Sequence, residues 1–322
     1  MTPGANSSGG PVGPGQRPTG EHLARFTWQF DRVKIICMDA DQFHQHLQSH
    51  TASFAKAVAT GEDEWIIKGF IDTYRNIYTI SMDTKIISKV LELLIIPMFK
   101  EFAETHGLKI ELCPQQNFYP DLTFTHPPSG QAFAVDIKST YRIGLNQVNG
   151  MTLGAFTGYF RKRQSNKNIV YPYDRYAEHF VLGVIYSRCE GASEERTVFT
   201  LDQLSQIPSV IRDFQFFAQP KYRIAASQPG SGNTKNIGSV TRIDDLLQGT
   251  GPFADLGREV YDDYWMFYLT RDMAAAAETQ PPYANLETYR EYKKRGLDRL
   301  EAQKKRSEKF TDSESSEQED EP

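Results

Sequence analysis

The sequence is poor in cysteine, with only Cys37, Cys113 and Cys189 among its 322 residues. Three scattered cysteines are too few for a disulfide framework or a zinc site, which favours a reducing, cytoplasmic setting. The chain also lacks an apolar run that could span a membrane, since the longest, residues 93–99, contains Pro97. Its N-terminus shows no basic lead before an apolar stretch, so we expect neither a secretory signal nor a membrane partner.

The chain has no overall excess of positive charge, since its net charge is −5 at pH 7. The charges are unevenly distributed, however, and six of the last dozen residues are acidic while none is basic. Between Ser139 and Arg242 the sequence contains 13 Lys and Arg residues against 7 Asp and Glu residues. A polyanion could bind this middle region despite the acidic total. The charge pattern fits a mixed, solvated surface equally well.

Composition divides the chain into three parts. Residues 1–20 are rich in Gly, Pro and Ser and are expected to form a disordered arm. Residues 301–322 change from Lys-rich to acidic and Ser-rich, which predicts a disordered tail. Between them no linker or repeat is evident, so residues 21–300 are predicted to form a single domain.

Residues 83–105 are predicted to form a helix, because apolar residues recur there at helical spacing. Asp83 can cap its start, and Gly107 suits its end. Further strands are expected at residues 179–187 and 222–226, and a further helix at residues 256–270. Mixed helices and strands predict an α/β (α+β) sandwich.

After this helix the residue pattern changes to a repeat of two. Polar and apolar residues alternate in residues 121–125 and again in residues 133–138. The residues between them include Pro-Pro-Ser-Gly at positions 127–130, which is typical of a polar turn. We predict a hairpin in which His126 pairs with Gln131.

This register places Asp121 opposite Asp136, with Cβ atoms about 4.5–5.5 Å apart. Lys138 lies on the same face, while Ile137 points into the core. Two facing carboxylates repel each other, and a divalent cation such as Mg²⁺ would compensate them while it activates a phosphate for hydrolysis. Lys138 would then stabilise the charge that develops on the phosphate.

A structural explanation remains open for the same residues. Asp121 and Asp136 could be surface carboxylates that Lys138 neutralises, because this spacing of acids and lysine also occurs by chance. Glu92 interrupts the apolar run of the predicted helix. It is either a solvent-facing glutamate or a third carboxylate directed at the metal ion.

Residues 228–239 form a polar segment that is dense in glycine. Gly230 and Gly232 would allow the backbone to approach a partner closely. Asn233 suits a bidentate contact with adenine, and the Thr234 methyl group can pack on a thymine methyl. The alternatives are a flexible surface loop and a phosphate-binding nest, but the segment lacks the ending of a P-loop.

Several segments, taken in order over roughly residues 51–299, closely resemble the EcoRV family of type II restriction endonucleases, in the PD-(D/E)xK superfamily. They are Asp83-Thr84-Lys85 with Glu92, Gln115-Gln116-Asn117 with Tyr119-Pro120-Asp121, Asp136-Ile137-Lys138, residues 167–172 and residues 230–239. The resemblance implies a central mixed β-sheet flanked by helices. It also implies a homodimer around double-stranded DNA, with dimerisation, catalytic and recognition parts in one domain.

The resemblance also assigns roles to residues. The metal ligands for Mg²⁺ would be Asp121, Asp136, Glu92 and the backbone carbonyl of Ile137, and the catalytic set would comprise Asp121, Asp136, Lys138, Glu92 and Lys85. The DNA-binding residues would be Gly230, Ser231, Gly232, Asn233, Thr234, Gln115, Gln116, Asn117, Thr140 and Lys167. The implied target is GATATC, cut bluntly at its centre, and a cognate DNA methyltransferase is expected in the same system.

The sequence departs from the family pattern at Phe118, Ser139, Gly158 and Lys235, which leaves the catalytic set intact. Two other functions remain as alternatives. One is a nuclease of the same fold that acts in repair or junction resolution, and the intact recognition loop argues against it. The other is a catalytically silent, sequence-specific DNA-binding protein, which the intact acidic residues argue against.

Overall fold

The computed structural model describes residues 38–115, 117–189, 197–230 and 235–317, with side chains as far as residue 304. All of these residues lie in the unit Ile36–Pro322. The arm predicted at residues 1–20 lies outside the described residues. Within the described ranges, no helix has both the length and the apolar character needed to cross a membrane.

The helices and strands follow one another in mixed order. The helices are α1 (Ala40–Ser49), α2 (Thr51–Val58), α3 (Thr84–Thr105), α4 (Lys221–Ile224), α5 (Ile243–Gln248), α6 (Gly257–Phe267), α7 (Arg271–Ala276) and α8 (Leu286–Glu317). The strands are β1 (Gly69–Ile71), β2 (Asn76–Thr79), β3 (Lys109–Leu112), β4 (Leu122–His126), β5 (Gln131–Gly144), β6 (Gln147–Val148), β7 (Thr152–Ala155), β8 (Tyr176–Arg188), β9 (Val198–Thr200), β10 (Ile211–Pro220), β11 (Ala225–Pro229) and β12 (Asn236–Ser239). Short 3₁₀ helices occupy Gly158–Phe160, Tyr173–Arg175 and Leu201–Gln206.

A central mixed sheet organises these elements. Its strand order is β10-β8-β5-β4-β3, and β6 pairs with the end of β5. Strands β5 and β8 run parallel, while the other neighbours in this order run antiparallel. The mixed sheet with its flanking helices confirms the predicted α/β architecture.

Both faces of the central sheet are buried, and alternate residues of β5 enter different cores. Phe133 and Val135 belong to a core that includes the buried side chains of α1, α2 and α3. Ala132 and Ala134 belong to a second core, rich in tyrosine, which includes the buried side chains of α6. Because strand side chains alternate, Asp136 is directed toward this tyrosine-rich side.

Helix α3 begins and ends close to where the sequence predicts. The Asp83 carboxylate accepts hydrogen bonds from the N–H groups of Lys85 and Ile86, at 2.7 and 3.3 Å. Such a cap satisfies backbone donors that have no partner within the helix. Beyond its end, Gly107 adopts a φ of 63°, a left-handed conformation that favours glycine.

The hairpin of β4 and β5 has the predicted register. His126 pairs with Gln131, and Leu122 pairs with Val135. Gly130 closes the turn with a φ of 68°, which a residue with a Cβ atom rarely adopts. The hairpin therefore fixes which residues of the two strands lie opposite each other.

Two segments differ from the sequence-based predictions. The strand predicted at residues 222–226 is wrong in its first half, because Lys221–Ile224 form the short helix α4 after Pro220, whose fixed φ suits the start of a helix. Helix α8 continues to Glu317, although a disordered tail is predicted from residue 301. Residues 286–304 are rich in Leu, Glu, Lys and Arg, which are good helix formers.

Two smaller antiparallel sheets extend from this framework. The first has the order β1-β2-β9, and it carries exposed apolar side chains that include Phe70, Tyr78 and Val198. The second has the order β11-β12-β7, and its β11–β12 pair leads into the glycine-rich segment.

The close packing of the sheet gives a test of the fold. A Cβ atom at Gly183 of β8 would lie 2.0 Å from the Phe217 ring, so Gly183→Ala should force the ring or the strand to move. We expect the unfolding free energy, measured with urea, to fall by about 1–3 kcal/mol. The control is Gly61→Ala, since a Cβ atom there meets nothing within 4 Å. Equal stability of the two variants would contradict this packing.

Candidate active site

Asp121 and Asp136 lie opposite each other at the open end of the β4–β5 hairpin. Asp121 immediately precedes β4, and the pairing of Leu122 with Val135 places it across from Asp136. The Asp121 Oδ2 atom accepts a hydrogen bond of 2.7 Å from the Ile137 N–H group. The hairpin thus brings both carboxylates to one face of the sheet, next to a fixed backbone donor.

Lys138 follows Asp136 on the same face of β5. Its Nζ atom lies 2.6 Å from the Asp136 Oδ2 atom, and Asp136 is only 4% exposed. Burial by itself would lower the pKa of Lys138, but the negative charges of Asp136 and Asp121 outweigh burial and raise it. Lys138 is therefore a cation at the centre of this cluster.

The two carboxyl groups differ in their pKa. Burial raises the pKa of Asp121 to about 7, and repulsion from Asp136 adds to the rise against the opposing effect of Lys138. Burial also disfavours the charged form of Asp136, but the positive charges of Lys138 and Lys221 prevail and lower its pKa. At neutral pH the pair therefore carries less than its full negative charge, as two close carboxylates do.

These groups fit a hard divalent cation, which prefers oxygen ligands. The two carboxylates and the Ile137 carbonyl could supply oxygens, and a bound cation would relieve the repulsion within the pair. In the part of the chain that the structure describes, no three His, Cys, Asp or Glu side chains are arranged to hold a metal ion. The remaining ligands would therefore have to come from water or from a substrate.

A cleft of about 780 Å³ opens beside Asp121. Lys85, Lys89 and Glu92 line it from α3, and Asp121 and Ile137 line it from the hairpin. Glu92 is paired with Lys89, whose Nζ atom lies 2.7 Å from the Glu92 Oε1 atom. The structure thus brings the predicted residues Lys85 and Glu92 to the cleft, while the Glu92 carboxylate contacts a lysine.

Comparisons with known proteins agree with this geometry. The model of the EcoRV restriction endonuclease family matches residues 61–294. The chain is also similar to the type II restriction enzyme EcoRV of Escherichia coli, with 34% identity over 230 residues that cover 71% of this chain and 91% of that enzyme. The chain belongs to the EcoRV restriction endonuclease family. The predicted resemblance, the restriction-endonuclease fold and the class of enzyme, a DNA-binding deoxyribonuclease, are thereby confirmed.

The other predicted DNA-binding residues differ in their exposure. Gln115 lines the cleft, and Asn117 and Lys167 are exposed, whereas Gln116 lies outside the described residues. Thr140 is 4% exposed, and its hydroxyl group donates a hydrogen bond of 2.5 Å to the Asn149 carbonyl. The Thr140 hydroxyl therefore already has a partner within the protein.

The predicted recognition loop is described only at its base. The Gly230 N–H group donates a hydrogen bond of 2.8 Å to the Asn236 carbonyl. A Cβ atom at Gly230 would lie 3.3 Å from the Gly238 Cα atom, so the two strands approach closely here. The remaining predicted contacts, Ser231, Gly232, Asn233 and Thr234, lie outside the described residues.

Lys221 of α4 is a site residue that the sequence analysis missed. It is 5% exposed, and its Nζ atom lies 3.9 Å from the centroid of the Tyr119 ring. Burial lowers the pKa of Lys221 to about 8, although the charge of Asp136 opposes this effect. The residues around Lys221 in the sequence do not indicate that it is buried. Its burial results from contacts with elements that are distant in sequence.

The raised pKa of Asp121 predicts how stability depends on pH. Between the unfolded pKa of 3.8 and the folded pKa of about 7, the native protein binds more protons than the unfolded chain. Without metal ions, the unfolding free energy should therefore fall by about 2–4 kcal/mol as pH rises through this window. Asp121→Asn should remove most of the decrease in chemical unfolding measured from pH 4 to 8. An equally steep decrease in this variant would refute the assignment.

Proposed function

We propose that this protein cleaves double-stranded DNA at GATATC, in the presence of Mg²⁺, and leaves blunt ends. One observation supports the proposal most: Asp121 lines a cleft, Asp136 lies opposite it across the hairpin, and Lys138 contacts Asp136. A cation and a phosphodiester would together complete the charge balance of this site. Family membership makes DNA the substrate class.

Asp121, Asp136 and the Ile137 carbonyl would hold Mg²⁺, and Glu92 would support this set from α3. When bound, Mg²⁺ supplies Lewis-acid chemistry at the scissile phosphate. In that state both carboxylates would be ionised, and the proton that Asp121 partly holds at neutral pH would be released to solvent.

Lys138 would stabilise negative charge on the phosphate that is attacked. The neighbouring carboxylates raise its pKa, so Lys138 stays protonated at neutral pH and supplies a fixed positive charge. Lys85 is exposed at the cleft and would add positive charge close to the DNA backbone. Both roles use electrostatics and do not require either lysine to lose its proton.

Specificity would come from the segment 230–234. Its glycine backbone would contact guanine, Asn233 would contact adenine and Thr234 would contact thymine in the major groove. Gln115, Gln116 and Asn117 would approach the minor groove, and Lys167 would approach the DNA backbone. The central TA step would be recognised through the ease with which it kinks.

A homodimer would explain how one chain recognises a palindrome, because two-fold symmetry in the protein matches two-fold symmetry in the DNA. The small β1-β2-β9 sheet supports this proposal. It and its surroundings expose apolar side chains that soluble monomers usually bury, and such patches mark protein interfaces. These side chains are Phe70, Ile71, Tyr74, Tyr78, Val198 and Leu201.

A nuclease with this specificity would also cut its host's DNA. The system would therefore include a cognate methyltransferase that protects GATATC sites. Both enzymes would act in the cytoplasm, where the DNA of a bacterial host is accessible to them.

The cleavage reaction gives the first test. With Mg²⁺, the wild type should linearise a plasmid that has one GATATC site and produce blunt ends at its centre. Asp121→Ala should cut at least about 100-fold more slowly, because a ligand for the cation is lost. Asp298→Ala removes an exposed aspartate of α8 and should cut like the wild type.

Other outcomes would separate the parts of the proposal. Cleavage at another sequence would refute the GATATC assignment but would still show that the protein is a nuclease. Tight binding of the site without any cleavage would favour a DNA-binding protein. Cleavage by Asp121→Ala at a rate near that of the wild type would refute the metal site.

Asn233→Ala tests the recognition loop separately. The variant should lose about 1–3 kcal/mol of discrimination for adenine, because a bidentate contact is removed. The measurement compares kcat/KM for GATATC with kcat/KM for sites that have one substituted adenine. An unchanged ratio would show that Asn233 does not recognise adenine.

A further inference from the structure

Lys221 is a buried cation next to the carboxylate pair. It lies in α4, directly after β10, and is 5% exposed. Lysine is seldom buried unless an opposite charge accompanies it, because transfer of an ammonium group out of water is costly. The question is which group provides the opposite charge.

The direct contacts of Lys221 do not include a carboxylate. Its Nζ atom faces the Tyr119 ring at 3.9 Å, a favourable but modest cation–π contact. Tyr119 is itself fixed, since its hydroxyl group hydrogen-bonds His179 Nδ1 at 2.8 Å and its ring stacks on Tyr159. Among the described residues, no acidic oxygen lies within ion-pair distance of Lys221.

The proposed metal site lies close by, because Tyr119, whose ring Lys221 contacts, is two residues before Asp121. Asp136 makes the largest favourable electrostatic contribution to Lys221, and Asp121 also contributes, while Lys138 repels it. In return, Lys221 helps to keep Asp136 ionised. Asp136 thus interacts with one lysine in direct contact and a second at longer range.

We infer that Lys221 is a positioning residue whose buried charge balances the Asp121–Asp136 pair and opposes the binding of a divalent cation there. This inference rests on the proposed metal site. The cation and the ammonium group would be attracted by the same two carboxylates, and they repel each other. The affinity of the free protein for metal ions is therefore lower than its carboxylates alone would provide.

This competition has a consequence for the nuclease reaction. A DNA phosphate in the cleft brings negative charge to the same place. That charge offsets the repulsion from Lys221, so the protein holds the cation more tightly together with DNA than without it. Metal binding and substrate binding then depend on each other, as linkage requires.

The test measures Mn²⁺ binding to the full-length protein without DNA, at pH 7.5, from the paramagnetic resonance signal of free Mn²⁺. Lys221→Met removes the charge and keeps the chain length, and it should bind Mn²⁺ about five- to tenfold more tightly than the wild type. Lys221→Arg retains the charge and should bind like the wild type. Lys56→Met, at an exposed lysine of α2, is the control and should also match the wild type.

The outcomes distinguish this inference from the proposed function. If Asp136→Ala binds Mn²⁺ as the wild type does, the metal site itself is wrong. If Asp136→Ala loses binding but Lys221→Met matches the wild type, only the role of Lys221 is refuted.

Folding is checked by thermal unfolding with and without Mn²⁺, and Lys221→Gln serves as a second neutral variant. A neutral variant that folds only with Mn²⁺ supports the inference, since the cation then replaces the missing charge. A variant that stays unfolded in both conditions shows that Lys221 supports packing instead, and it overturns the inference.

Discussion

Repulsion between two facing carboxylates is the interaction around which the site is arranged. The β4–β5 register forces Asp121 and Asp136 together on the tyrosine-rich side of the central sheet. Burial and mutual repulsion disfavour full ionisation, and Lys138, Lys221 and the Ile137 N–H group offset only part of that cost. The charge that remains unbalanced lies beside the cleft, where a bound cation and a phosphate can balance it. The sheet register imposes this constraint, and the nearby lysines and the proposed chemistry both respond to it.

The sequence predicted those features that depend on neighbouring residues. A turn of Pro-Pro-Ser-Gly fixes the hairpin register, because His126 and Gln131 must then pair. Asp83 caps the start of α3 through hydrogen bonds to backbone N–H groups, and Gly107 follows its end in a left-handed conformation. Both ends of the helix therefore follow from the type of the local residue. The opposition of Asp121 and Asp136 could be predicted for the same reason, since both residues lie on one hairpin. Family resemblance then supplied the enzyme class, which the comparisons confirm.

The sequence-based predictions missed one buried residue, one helical turn and one ion pair. Lys221 is buried because β10 and the surrounding aromatic residues enclose it, and its own segment looks polar. The same segment was predicted as a strand, although Pro220 starts a helical turn there. The contact between Glu92 and Lys89 was also missed, because either residue could have faced solvent. The burial of Lys221 depends on contacts that are distant in sequence, whereas the α4 turn and the Lys89–Glu92 pair are local features that the sequence-based predictions did not include.

The central claim is that Asp121 and Asp136 together bind a divalent cation at the phosphate of a GATATC site. The most direct measurement is the anomalous scattering of Mn²⁺ in crystals of the protein with a GATATC duplex. We predict a peak about 2.0–2.4 Å from an oxygen of each carboxylate, next to the central phosphate. A peak that contacts neither Asp121 nor Asp136, with cleaved DNA in the same crystal, would contradict it.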